Sequence, residues 1–252
     1  MIIKNYLNQY PLLMITKKFN FSYGELTQRC DRVSELMTRD ASNFEEIGYT
    51  AEFITSFKAQ TDAFKTMESD TYWQGQQMMK TEGKNKSRQR LSHLISEFRF
   101  RAKLSLGEDS VEYRSFRFSR LANLDENQLI IYANHVIKTA RPLLPRLALR
   151  RIDEANLQEI NGEAIQLDSS IDEQKAAISI REQKSFERIA AANELYKTMS
   201  EVCEVGKRIW EGTNVAFYDD YLIYGSQAPI DDEEEPQDES TPENTPGDVM
   251  PT

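Results

Sequence analysis

The stretch Gly107-Glu-Asp-Ser-Val-Glu-Tyr-Arg-Ser-Phe-Arg-Phe118 returns towards the other end of the chain as Gly212-Thr-Asn-Val-Ala-Phe-Tyr-Asp-Asp-Tyr-Leu-Ile223. Both read glycine, five residues, tyrosine, two residues, an aromatic, one residue and an apolar side chain. Each follows a long amphipathic segment. The pattern predicts a helix-ending glycine followed by a short extended strip, whose rings Tyr113, Phe116, Tyr218 and Tyr221 fold back on a helical bundle.

Working outward, the two halves of the chain keep step. Leu26, Val33, Ile54, Phe57, Thr61 and Phe64 fall on Leu129, Val136, Leu157, Ile160, Ala164 and Leu167 at an offset of 103 residues. Leu91, Ile95 and Phe98 fall on Leu195, Met199 and Val202 at 104, and the glycines align at 105. The spacings of three and four are those of apolar helix faces. Ser22 with Glu25, and Asp125 with Gln128, have the form of capping boxes that open a helix in each half. The expected fold is all-α: two tandem three-helix repeats, residues 22–120 and 121–224, forming an elongated bundle.

Three places resist a simple helical reading. Glu68-Ser-Asp70 interrupts the second helix of the first half, and Asp168-Ser-Ser-Ile-Asp172 marks a pause in the second half. Pro142 and Pro145 end or kink the helix that precedes them, because each lacks an N–H and crowds the previous turn. Gly83 sits inside the third helical segment of the first half. Its counterpart region, Glu163 to Val205, lacks Gly and Pro, so the helix is expected to run on through Gly83 at a cost of about 1 kcal/mol relative to alanine.

The charge is unevenly placed. The chain carries 31 Lys and Arg against 41 Asp and Glu, a net charge of -10. Nine of those acids follow Gly225, with no Lys or Arg among them, so residues 225–252 read as a disordered acidic tail around a nearly neutral folded part. Residues 1–21 read as an N-terminal extension, with Met14 an alternative to Met1 as the start. No run of about 18 apolar residues indicates a membrane span. The start lacks a signal-peptide pattern, and Cys30 and Cys203 read as buried reduced thiols. A cytoplasmic bacterial protein is the expectation.

Catalytic patterns are sparse. His93 and His135 have neither the Glu-x-x-His spacing of di-iron bundles nor a histidine four residues away. Gly83-Lys84 lacks the upstream glycine of a phosphate loop, since Met78 occupies that position. Asp219 and Asp220 read as solvated acids between packed tyrosines. No cofactor or metal is expected, and the favoured function is a non-enzymatic structural or protein-interaction module, with a protein partner or self-association. The alternative is nucleic-acid binding by residues 80–120, where Lys84, Lys86, Arg88, Arg90, Arg99, Arg101 and Lys103 interleave with Phe98 and Phe100.

The run Gly206-Lys-Arg-Ile-Trp-Glu-Gly-Thr-Asn-Val-Ala-Phe-Tyr-Asp-Asp-Tyr-Leu-Ile-Tyr-Gly225 resembles the closing segment of uncharacterised α-helical proteins of the Bacteroidota. The resemblance extends over roughly residues 22 to 224. It implies an all-α fold and carries no activity and no functional residues.

Overall fold

Ser22 accepts a hydrogen bond from the backbone N–H of Glu25, and the helix it caps, α1 (Tyr23–Arg39), buries Leu26, Cys30, Val33 and Met37 on one face. The computed structural model describes residues 15–224, which leaves the start up to Met14 and the acidic tail outside the description. A single turn, α2 (Ala41–Glu46), precedes α3 (Ala51–Lys65). Ser69 caps α4 (Asp70–Leu106), which runs 37 residues and passes through Gly83 without a break. Among the described residues the chain is helical with no strand.

The short aromatic segments differ from the extended strip that their spacing suggested. Ser110 Oγ accepts from the N–H of Tyr113 and closes one turn, α5 (Val111–Ser115). Asn214 Oδ1 does the same for Phe217 at the start of α9 (Val215–Asp220). A polar side chain three residues before a free N–H makes a helical turn available, and both sequences take it. Gly107 and Gly212 adopt positive φ, 84° and 75°, and turn the chain out of the long helices.

The reading of Asp168 to Asp172 as a pause is also corrected. Asp153 and Asn156 form a reciprocal capping box, and α8 (Glu154–Trp210) then runs 57 residues. Ser170 returns its hydroxyl to the Gln166 carbonyl at 2.7 Å, satisfying itself within the helix rather than breaking it. At 1.5 Å per residue α8 is about 85 Å long. Between them, α6 (Glu126–Ala140) carries the completed Asp125–Gln128 box, and the prolines bring in a 3₁₀ turn and the short α7 (Leu144–Leu147).

Two separate apolar cores result, and neither belongs to one half of the sequence. The first takes Leu26, Phe44 and Phe57 from α1, α2 and α3, and closes them with Leu195, Met199 and Val202 from the far end of α8. Phe19 and Phe21, ahead of α1, are buried in it as well. The second takes Leu91, Ile95 and Phe98 from α4, Val136 from α6, Leu147 from α7 and Leu157, Ile160 and Leu167 from the start of α8. The long helices therefore run antiparallel between two lobes, each supplying its last turns to the lobe built mainly by the other half.

Between the lobes only α4 and α8 remain, and their contact is polar. Ser87 and Ser170 meet hydroxyl to hydroxyl at 3.3 Å, Gln174 donates to Thr81 at 3.0 Å, and Lys80 pairs with Glu173 at 3.0 Å. Two helices cannot enclose a core, so this waist leaves Tyr72, Met78, Met79 and Ile180 exposed.

Candidate interaction surface

The basic segment lies on α4 and the turns that face it, and most of its charges are engaged. Lys84 pairs with Glu126 at 3.1 Å, Lys86 with Glu82 at 2.6 Å and Lys103 with Glu108 at 2.5 Å. Arg88 donates to the Leu124 carbonyl at 2.9 Å and Arg101 to the Arg151 carbonyl at 3.4 Å. Arg90 and Arg99 are exposed and form no ion pair with another described residue. Phe98 is buried in the second core, so of the two interleaved rings only Phe100, 60% exposed, faces outward.

The outward residues of α4 form a continuous line. Lys86, Arg90, His93, Glu97, Phe100 and Leu104 recur at alternating steps of four and three, opposite the buried line Leu91, Ile95, Phe98 and Ala102. The second lobe is basic overall. Residues 84–170 hold 15 Lys and Arg against 11 Asp and Glu, whereas residues 15–70 and 187–224, which build the first lobe, hold 11 against 17.

The aromatic residues read as closing strips have structural roles. Tyr113 and Phe116 are buried in the second core and Tyr221 in the first, while Tyr218 is half-buried. Tyr132 donates from its hydroxyl to the Phe116 carbonyl at 2.9 Å. Tyr221 lies with its ring flat against Gly206: a Cβ on that glycine would come within 2.3 Å of the ring. No side chain fits there while the ring keeps its place.

Sequence reasoning missed the most connected polar group in the molecule, Asp40. It is 3% exposed and accepts from Arg39 through Nε at 2.8 Å and Nη2 at 2.9 Å, from Trp210 Nε1 at 3.0 Å and from Tyr221 Oη at 2.8 Å. Burial raises its pKa, but the hydrogen bonds from Arg39, Tyr221 and Trp210 outweigh burial and hold it below the usual 3.8. Burial raises the pKa of Tyr221, and the carboxylate it donates to raises it further. Asp220, expected to be solvated, pairs with Arg39 at 2.6 Å and Arg32 at 3.0 Å, and the Arg39 guanidinium stacks on Phe217. One signal pointed to Asp40: at the offset of 103 it falls on Leu143, an acid where the other half has an apolar residue.

The remaining reactive side chains are quiet. Cys30 and Cys203 are free and buried, and burial pushes both thiols up to about 12. The His135 ring nitrogen lies 3.0 Å from the Ser115 carbonyl, and His93 is exposed. Among the described residues no group of three or more His, Cys, Asp or Glu is placed to hold a metal ion, and no helix is long and apolar enough to cross a membrane. No protein-family model matches the chain, and no curated protein or solved structure matches it.

Proposed function

We propose that the protein is a non-enzymatic helical interaction module, built from an internal duplication whose halves exchange their last long helices. The waist carries the reading. Two helices hold two lobes apart and leave Tyr72, Met78, Met79 and Ile180 in solvent, with Trp73, Ile178 and Phe186 half-buried beside them. An open groove of about 310 Å³ runs along the waist beside Gln76, Met79, Gly83 and Glu173, and beyond the adjoining backbone of its own helix nothing lies within 4 Å of where a Cβ on Gly83 would stand. A partner helix can approach the α4 backbone closely at that point.

The same pattern supports duplication. The aligned pairs Leu26 and Leu129, Phe57 and Ile160, and Phe98 and Val202 are all buried, and the two members of each pair belong to different cores. Affinity capture of the full chain, followed by light scattering to determine its mass, tests the reading. The expected result is a stable protein partner or a second copy, lost in Met79→Glu with Gly83→Glu. A monomer that captures nothing would remove the support.

Nucleic-acid binding is the second reading, favoured by the positive balance of the second lobe. It is weakened by the ion pairs of Lys84, Lys86 and Lys103. Fluorescence anisotropy with random oligonucleotides tests it, because phosphate contacts release counterions and their affinity must fall steeply with salt. Little binding is expected.

A further inference from the structure

Within the waist, Tyr72, Gln76, Met79 and Gly83 recur along α4 at steps of four, three and four, which sets them on one face of the helix. Gln76, Met79 and Gly83 line the open groove, and Glu173 lines it from α8. Ile180 lies two turns from Glu173 on the same side of α8. Tyr72, Met79 and Ile180 are exposed.

The α4 line is complementary to its own reverse. Its midpoint falls between Gln77 and Met78, and a two-fold rotation about that point lays Tyr72 on Gly83, and Gln76 on Met79, of a second α4. A ring then meets the one position on the line that has no side chain, where only the helix's own backbone is near. We propose that the waist is covered by a second copy of this chain, packed antiparallel about a two-fold axis at Gln77 and Met78, with Tyr72 of each copy seated on Gly83 of the other. The proposal rests on the reading of the waist as an interaction surface and names its partner.

Charge selects the antiparallel sense. Residues 84–170, which build most of the second lobe, hold 15 Lys and Arg against 11 Asp and Glu; residues 15–70 and 187–224, which build the first, hold 11 against 17. Reversal sets each acidic lobe over a basic one, whereas a parallel pair would set acidic lobe on acidic lobe and basic on basic, where like charges repel. Area shows that the lobes must take part. From Asp70 to Ser87 the waist is about 26 Å long and two helices, or about 20 Å, wide, which offers roughly 500 Å² to a partner. Stable complexes bury about 800 Å² per partner, so facing lobes have to supply the remainder. Such a contact is isologous and closes at two copies.

Sedimentation equilibrium of the full chain should show a monomer–dimer equilibrium, with a dissociation constant that rises between ~20 mM and ~500 mM salt as the facing lobes are screened. Tyr72→Gly and Gly83→Tyr should each raise that constant by at least about tenfold, as loss of a central contact does. Together they exchange ring and gap, and the double variant should regain the parent's affinity. Both positions lie outside the two cores, and circular dichroism checks that the helices persist; should Tyr72→Gly lose helix, Tyr72→Ala replaces it. His93→Cys then gives each copy one accessible label, since the native cysteines are buried. Nitroxides there should lie about 46 Å apart in the antiparallel dimer, at 1.5 Å per residue. In a parallel dimer, with helix axes 8–10 Å apart, they would lie within about 30 Å. The shorter distance would overturn the proposal, as would a dimer indifferent to the Tyr72 and Gly83 changes. A chain still monomeric at a concentration on the order of 100 μM, where even a micromolar complex forms, would overturn it too. If that monomer captured a different protein through Met79 and Gly83, the reading of the waist would stand while this inference fell.

Discussion

The hydroxyl of Tyr221 donates to Asp40 Oδ2 at 2.8 Å, joining residues 181 positions apart. Trp210 donates to the same oxygen at 3.0 Å, so the end of α1, the end of α8 and the segment after α9 meet at one buried carboxylate. This bond closes the first lobe, and the stability of that lobe should depend on it in ways that can be separated.

Replacing Tyr221 with alanine removes a ring that is fully buried between Phe44 and Gly206. The expected loss is about 3 kcal/mol, as for other aromatic-to-alanine changes in cores. Tyr221→Phe keeps the ring and removes one donor to a buried charge, which costs about 1.5 kcal/mol. Gly206→Ala adds a methyl group where the ring already sits and should cost about 1–3 kcal/mol. Chemical denaturation ranks the three; a Gly206→Ala protein as stable as the parent would mean that the ring does not lie where described.

Acid should loosen the same lobe. The Asp40 pKa is lowered on folding, below its ordinary 3.8. Its contribution is therefore complete above that ordinary value and is lost as pH falls through the folded value, where the carboxylate takes up a proton. Asp40→Asn should lower stability by about 2 kcal/mol at neutral pH, and the gap to the parent should narrow below ~pH 3.8. Urea midpoints at neutral and acidic pH provide the comparison. A gap that stays constant would show that Asp40 is not held as a carboxylate.

The neighbouring acids should part company. Asp220→Asn loses the bonds from Arg39 and Arg32 and should cost about 0.5–1 kcal/mol, the range of partly exposed ion pairs. Asp219 is exposed and takes part in no ion pair with another described residue, so Asp219→Asn should be silent. Equal effects at the two positions would contradict the geometry.

Inside the waist, Gly75 and Gly83 lie in mid-helix with open space where a side chain would stand. Alanine at either should raise the stability of the isolated protein by up to about 1 kcal/mol through helix propensity. If Gly83 is kept for close approach of a partner, Gly83→Ala should weaken that association while stabilising the free chain. A melting curve and a binding measurement on the same variant read both.

Local sequence determined what local physics controls. Ser22, Ser69, Asp125 and Asp153 fixed helix starts because their side chains bond to N–H groups two or three residues on. Apolar steps of three and four marked Leu26 to Met37 and Leu91 to Leu106 as buried faces, and the prolines at 142 and 145 ended α6. The all-α class was legible for the same reason. Asp168 to Asp172 misled because serine and aspartate favour turns when free, yet sit within a helix when its faces are packed before and after them.

Only the tertiary structure decided which faces meet. An apolar stripe records that a surface is buried and not by what, so the sequence could not show that α4 completes the lobe of α6 and α8, or that α8 completes the lobe of α1. The Asp40 network was hidden for a related reason. Its partners lie 170 and 181 residues away, and no spacing rule acts over that distance. Whether a basic residue is spent on an internal ion pair or left facing solvent, as Lys84 and Arg90 divide, depends on which acid a neighbouring helix brings within reach.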